Sequence, residues 1–274
     1  MPELPEVETI RANLEPLLVD RRLERVQIGD ARLTRPRDPD EVATLLEGER
    51  VAAVERRGKY LVFRFRSGRS LLMHLRMTGS LVHRRDGSEP PDPHQRAVLS
   101  LDNGADVTYR DVRRFGTWTV LEPDELVPYL DIRLGPEPLG PRFTAAHLGD
   151  RLDGRRAPLK AALLDQRTVA GLGNIYVDEA LWRSRLSPLR PAGSLGEREV
   201  RSLQRGVRAS LAAGIERQGA TLRDYRLPDG AAGAMQREFN VYGREGEPCP
   251  RCGTLIAKTR AGGRGTWYCP ACQR

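Results

Sequence analysis

The chain has 274 residues, enough for one large domain or two ordinary ones, each with its own core. Its 39% hydrophobic and 30% charged residues give a soluble globular balance and exclude a disordered chain, and no apolar run approaches the roughly 18–20 residues of a membrane span. A net charge of +8 favours a polyanionic partner, nucleic acid before an anionic membrane, although solvated basic faces give the same balance.

The opening MPELPEVETI carries three glutamates and no basic, apolar leader, so a cytoplasmic location is expected. Val7, Ile10, Leu14, Leu17 and Leu18 recur at three and four, which predicts an amphipathic helix with Pro5 in its first turn. From Leu23 to about Val120 the period shortens. Runs such as YLVFRFRSG, SLLMHLRMTGSL and AVLSLDNGADVTYRD end in Ser-Gly and Asn-Gly turns, which predicts antiparallel sheet in two packed layers. The Pro- and Gly-rich EPDELVPYLDIRLGPEPLGPRFT reads as a linker. Helical patterns follow in APLKAALLDQ, NIYVDEALWRSR and LGEREVRSLQRGVRASLAAGIERQ, and residues 222–246 read as a mobile Gly-rich loop. The boundaries expected are 1–130, a linker at 131–150, a helical domain with that loop at 151–245, and a separate compact tail at 246–274.

All four cysteines lie in that tail, as CPRC and CPAC: Cys249, Cys252, Cys269 and Cys272. Two thiolates on each of two tight turns can complete a tetrahedral zinc site, whereas two vicinal redox pairs or disulfides are the alternative. So small a unit buries too little core to fold alone, and a metal would supply much of its stability. Between the pairs stand Lys258, Arg260 and Arg264 with no acid, and Ala261, Gly262 and Gly263 suit a hairpin tip presenting Arg264. Such a finger touches phosphates or serves as a structural cap.

Asn174 follows the GLG turn and suits the N-cap of the helix IYVDEALW; helix N-termini also attract phosphate, and Lys160 and Arg167 lie nearby in sequence. At the start of the chain, removal of Met1 would leave Pro2 a free secondary amine. An α-amino group has a pKa of about 8 against about 10.4 for lysine, and a helix beginning near Pro5 lowers it further. Such an amine can attack a sugar aldehyde carbon to give an iminium ion, an electron sink for elimination, with Glu3 exchanging protons. Inert surface residues are the alternative, since chain ends commonly fray.

MPELPEVET, RRGKYL, LLMHLRMTGSL, YRDVRRFG, GLGNIYVDEALW and the four-cysteine tail with GGRGTWYC occur in one order. Together, over essentially the whole chain, they resemble the bacterial formamidopyrimidine-DNA glycosylase family. The resemblance implies an α+β fold: an N-terminal two-layer β-sandwich with flanking helices, a helix–two-turn–helix domain and a C-terminal zinc finger with one structural zinc, with DNA held in the cleft between the halves. It implies a monomeric base-excision-repair enzyme of the bacterial cytoplasm, associated with the nucleoid, acting on double-stranded DNA that contains oxidised purines and using no membrane.

Carried over position by position, Pro2 matches the nucleophile, Glu3 the general acid/base, Glu6 a supporting residue and Lys59 the basic residue beside the damaged nucleotide. His74, Asn174 and Arg264 match the phosphate ligands flanking the lesion, with Lys160 and Tyr242 as further backbone contacts. Met77, Arg114 and Phe115 match the residues that fill the gap left by an extruded nucleotide, Arg114 facing the orphaned cytosine. By residue type alone, Met77 and Phe115 would be core and His74 a satisfied strand histidine. The loop ATLRDYRLPDGAAGAMQREFNVYG corresponds to the base-recognition region, where the backbone rather than side chains is expected to read the base. Competing readings are the sister class endonuclease VIII, a DNA-binding module without chemistry, and a zinc ribbon for RNA or protein. The ELPEVET opening, the Met77/Arg114/Phe115 set and intact Pro2, Glu3 and Lys59 favour the purine glycosylase.

Overall fold

The computed structural model describes residues 1–85 and 92–274; residues 86–91, inside the stretch predicted as sheet, lie outside the described residues. The chain divides into two units, Met1–Leu130 with Gln218–Gly233, and Asp131–Arg217 with Ala234–Arg274.

The first unit opens with α1 (Leu4–Leu18), and its strands are β1 (Leu23–Ile28), β2 (Val51–Arg57), β3 (Tyr60–Phe65), β4 (Ser70–His74), β5 (Gly79–Arg84), β6 (Gln95–Leu101), β7 (Asp106–Asp111) and β8 (Thr117–Leu121). They form two four-stranded antiparallel sheets in the orders β1-β6-β7-β5 and β2-β3-β4-β8. This is the expected β-sandwich. Val54, Leu61, Phe63, Leu71, Met73, Leu99, Val107 and Trp118 share one core with Val7, Ile10, Leu14 and Leu18 of α1. Leu17 falls outside that stripe and is only half-buried.

A second helix, α2 (Pro39–Leu46), interrupts the stretch predicted as sheet. Asp38 caps it by accepting the Asp40 N–H at 2.9 Å, Pro39 starts it, and Val42 and Leu46 bury one face. Its signal was local: two apolar residues one turn apart give too little periodicity to outweigh strand-rich neighbours.

After α3 (Leu126–Asp131), the second unit holds α4 (Ala145–Leu152), α5 (Leu159–Leu164), α6 (Asn174–Ser184) and α7 (Glu197–Glu216). The stretch expected as a linker, 131–150, falls within the second unit. Phe143 is fully buried, and Thr144 caps α4 through the His147 N–H at 3.1 Å. Helices α6 and α7 pack closely because α7 is small where they touch. A methyl group on Gly206 would stand 2.2 Å from Ser184 Oγ and 2.8 Å from the Ala180 carbonyl oxygen.

The tail lies within the second unit. Its strands β9 (Ala257–Ala261) and β10 (Arg264–Tyr268) form a hairpin whose Gly262–Gly263 tip has positive φ at both residues, as a two-residue primed turn requires. A side chain on Gly262 would strike Ala161 of α5 at 2.7 Å. The stretch predicted as one loop is divided: Gln218–Gly233 belongs with the sandwich, whereas Met235 and Val241 are buried in the second unit.

Gly206→Ala gains about 1 kcal/mol of helix propensity but overpacks a contact that includes backbone. A net loss of about 1–2 kcal/mol in urea denaturation is expected; equal or higher stability would show that the helix pair can spread.

Candidate active site and nucleic-acid interface

In the sandwich unit, Pro2, Glu3 and Glu6 are all buried at the start of α1, with Glu3 at the N-cap. Order at this chain end comes from Glu6. Its Oε2 accepts the Glu3 N–H at 2.8 Å and its Oε1 accepts the Ala220 N–H at 2.7 Å. Gly219 has φ +78°, and any side chain there would press within 2.8 Å of Glu6 Cγ, so only glycine fits. The Gln218–Gly233 segment is irregular yet anchored. Tyr225 and Leu227 enter the sandwich core, Thr221 Oγ1 accepts the Gly233 N–H at 2.9 Å, and Pro228 O accepts the His83 N–H at 3.1 Å.

Lys59 is buried on the β2–β3 turn beside Gly58, whose φ is +59°. Arg56 holds this turn, donating to Gly58 O at 3.1 Å and to Glu8 Oε2 of α1 at 2.8 Å. His74 pairs with Tyr60 across the sheet, and the two rings meet edge to face at 4.8 Å. Burial, with Arg76 and Lys59 adding repulsion, pushes its pKa down to about 3. The Arg76 N–H donates to Nδ1 at 3.0 Å, so the neutral ring carries its proton on Nε2 as a donor.

Met77 and the Arg114/Phe115 pair lie on two turns, β4–β5 and β7–β8, joined by one carboxylate. Asp111 accepts from Thr78 Oγ1, from the Gly116 N–H at 2.8 Å and from the Arg113 N–H at 3.2 Å, while Arg113 N also reaches Thr78 Oγ1 at 2.9 Å. Met77 is half-buried and Phe115 is 51% exposed, its ring covered by the Arg113 guanidinium at 4.8 Å. Neither is a core residue.

In the second unit, Asn174 is the first residue of α6 rather than its cap; Gly173 takes the cap position, and the Asn174 side chain makes no capping bond. Its Nδ2 donates instead to Gly265 O at 3.2 Å, next to the exposed Arg264. Lys160 departs from the expected surface contact. It is fully buried, with Nζ 2.8 Å from Asp178 Oδ1 and 2.8 Å from Gly265 O, and Asp178 also accepts the Trp267 N–H at 3.0 Å. Burial pushes the Asp178 carboxyl up and Lys160 pulls it back down. The buried pair thus clamps β10 to α5 and α6. Arg167 is exposed and pairs with Asp165 at 3.1 Å.

Glu179, fully buried, accepts the N–H groups of Asn240, Val241 and Tyr242 at 2.9–3.0 Å. This fixes Tyr242, whose ring meets that of Trp267 at a tilt of 56°, with centroids 4.6 Å apart. The signal for this residue was two adjacent acids on the otherwise apolar YVDEALW.

The four cysteine sulfurs lie within 4.8 Å of one another. Zinc–sulfur bonds of about 2.3 Å give a tetrahedron edge of about 3.8 Å, so the cluster fits one zinc after modest contraction. Trp182 Nε1 donates to Cys249 Sγ at 3.4 Å and Cys272 N to Cys269 Sγ at 3.4 Å, bonds that favour thiolates.

A β-sandwich, a helical unit and a four-cysteine cluster follow one another along the chain. Family models match along the chain: the formamidopyrimidine-DNA glycosylase N-terminal domain at residues 1–118, the formamidopyrimidine-DNA glycosylase H2TH domain at 134–226, and the zinc finger found in FPG and IleRS at 246–274. Formamidopyrimidine-DNA glycosylases of Roseiflexus sp. and Geobacillus kaustophilus are each 46% identical, with full coverage of both chains. The crystal structure of MutM (Fpg) from Thermus thermophilus superposes with a TM-score of 0.88 at 46% identity, covering 99% of this chain and 98% of that one. A Lactococcus lactis Fpg variant, solved in complex with a Fapy-dG containing DNA, gives 0.94 at 36% identity with full coverage of both. The chain belongs to the formamidopyrimidine-DNA glycosylase family, and its four cysteines form that family's structural zinc site.

Lys160→Met leaves Asp178 buried without its counter-ion, and should cost about 3–5 kcal/mol in thermal or urea unfolding. Adding Asp178→Leu should recover much of that loss; a double variant no better than the single would mean that the charge imbalance is not the cause. For His74 the linkage sign follows from its lowered pKa. Between pH 6.5 and about 3 the unfolded chain binds a proton that the folded chain refuses, so stability falls as pH drops through that window and this group contributes nothing above it. His74→Gln should flatten the slope of stability against pH there, whatever it does to stability at pH 7.

Proposed function

We propose that this glycosylase excises oxidised purines, 8-oxoguanine and formamidopyrimidines, from double-stranded DNA and then cleaves the abasic strand. The observation that carries the reading is the burial of Pro2 and Glu3 at an ordered helix start, where an inert chain end would fray. With Met1 removed, the Pro2 secondary amine attacks C1′ of the damaged nucleotide, and the C1′–N bond to the base breaks. The alkylated nitrogen gives up its proton to the departing base, and the lone pair so freed opens the sugar as the C1′–O4′ bond breaks, with Glu3 protonating O4′, which leaves a covalent iminium. Loss of the C2′ proton expels the 3′ phosphate and a second elimination expels the 5′ phosphate, leaving a one-nucleotide gap. An α-amino group is far less protonated at neutral pH than a lysine of ordinary pKa, which favours Pro2 over Lys59 as nucleophile.

In this reading Lys59, His74, Asn174 and Arg264 bind the phosphates of the lesion strand, His74 through its Nε2–H, and Tyr242 adds a backbone contact. Lys160 acts through Gly265, setting the position of Arg264. Met77 and Phe115 fill the vacated space and Arg114 hydrogen-bonds the orphaned cytosine. The exposure of Phe115 on its turn is compatible with this role. The Gln218–Gly233 segment supplies backbone groups for the extruded base. The enzyme works as a monomer in the bacterial cytoplasm, close to the nucleoid.

Borohydride trapping on a duplex with one 8-oxoguanine opposite cytosine tests lesion choice and amine chemistry together. Glu3→Gln should bind the lesion but lose base excision while still nicking a pre-formed abasic site, and Pro2→Gly should keep some lyase activity. A tag ahead of Pro2 should abolish trapping. A tagged protein that still traps, with the adduct on Lys59, would remove Pro2 as nucleophile.

A further inference from the structure

The two cysteine turns do not meet the zinc on equal terms. Cys249 is 3% exposed and Cys269 is fully buried, whereas Cys252 is exposed and Cys272 half-buried. The buried pair shares an apolar cluster with Val241 and Ile256, and Trp182 and Trp267 pack against it. Both turns are tied to the end of α6. On the first, the Arg251 guanidinium lies 4.0 Å over the half-buried Trp182 ring, and its Nη1 donates to Trp182 O at 3.0 Å. Trp182 Nε1 donates in turn to Cys249 Sγ at 3.4 Å, a donor from outside the finger. On the second, Gln273 accepts the Cys269 N–H through Oε1 at 2.8 Å and donates through Nε2 to Leu186 O at 3.0 Å. Cys252 is bonded by Thr254 of its own turn, which moves with it.

We propose that the last turn of α6 is an outer coordination shell for the zinc. In it Trp182 is a positioning residue that makes Cys249 the most retentive ligand, Arg251 holds the indole, and metal exchange begins at the Cys252–Cys272 edge. Four thiolates around one divalent ion leave an excess of negative charge on sulfur. A donor aimed at a thiolate favours the charged form and draws off part of the electron density with which it attacks an electrophile. That bond is stronger beside an apolar cluster than in water. An indole suits the task because it donates without accepting, and so cannot compete with the cysteines for the metal. Arg251 stacks on the ring as a planar cation and places positive charge at the C-terminal end of α6, where the helix dipole welcomes it. Packing alone does not call for the donor, since a phenyl ring would fill the same contact. Trp267 packs against the same cluster with its ring against Tyr242 and beneath Lys258.

The test follows zinc as it leaves the full, zinc-loaded chain. Transfer to excess pyridylazoresorcinol gives the release rate, and mass spectrometry after limiting iodoacetamide gives the order in which the cysteines are alkylated. In the native protein the first adduct should lie on Cys252 or Cys272. Trp182→Phe keeps a ring against the cluster and removes the donor. It should speed release by about tenfold to a hundredfold, the range over which such supporting bonds change metal affinity, and bring Cys249 among the first adducts. Trp267→Phe makes the same change of side chain beside the same cluster and should leave both readouts close to native. A native first adduct on Cys249 overturns the proposal, as does a Trp182→Phe variant with the native rate and order. Equal acceleration by the two phenylalanine variants also overturns it, because both rings would then act by packing alone. Should Trp182→Phe lose its cooperative melt, Arg251→Lys keeps the charge but loses the planar stack. Faster release in that variant supports the clasp, and a native rate overturns it.

Discussion

One carboxylate carries the largest structural demand in this protein. A chain end that is to act chemically must be ordered, and ordering a terminus costs backbone entropy that no neighbouring residue on one side can offset. Glu6 meets that demand by accepting the Glu3 N–H and, across most of the chain, the Ala220 N–H. Each of its oxygens is committed, and the group is 1% exposed, so the loss of either donor falls on a buried carboxylate. The result is that the first residues and the Gln218–Gly233 segment are ordered by the same group. The glycine at 219 follows from this closeness rather than from turn geometry alone.

The same device recurs. Asp111 gathers the β4–β5 and β7–β8 turns, Asp178 with Lys160 gathers β10, and Glu179 gathers Asn240 through Tyr242. Asp111 and Glu179 accept backbone N–H groups from irregular segments that no helix or strand would satisfy, whereas Asp178 accepts one from strand β10. Irregular segments can then hold Tyr242, Met77 or Phe115 in fixed places without regular secondary structure. Charge-assisted bonds suit the task because they are short and strong where water is excluded.

Much of this protein was legible in its sequence where the signal is periodic or chemically narrow. The α1 stripe, the two-layer sheet and the four cysteines were of this kind. The β10 hairpin was too, because Gly262 and Gly263 admit few other turns. Capping was less legible: Asn174 is a favourable N-cap by type, yet Gly173 takes that position while the amide of Asn174 turns to Gly265. Lys160 was expected as a contact to the DNA backbone, and only the fold reveals that Asp178, on the next helix, draws it inward. The division of the Gly-rich stretch at Gly233 was invisible, since its cause is a partner at position 6.

Acids at the surface also explain how so basic a chain tolerates its charge. A net charge of +8 favours DNA, but unpaired like charges crowded on one unit oppose folding. Many arginines here are held by acids at the surface, as Arg11 is by Glu8 and Glu15, Arg190 by Glu199 and Arg110 by Asp92. Exposed pairs of this sort add little stability, but they remove positive charge where contact with a phosphate would carry no information. Arg264 has its neighbour Gly265 clamped through the carbonyl and its own side chain exposed. The acids thus do two things at once: those inside shape the backbone, and those outside choose which cations remain available to a polyanion.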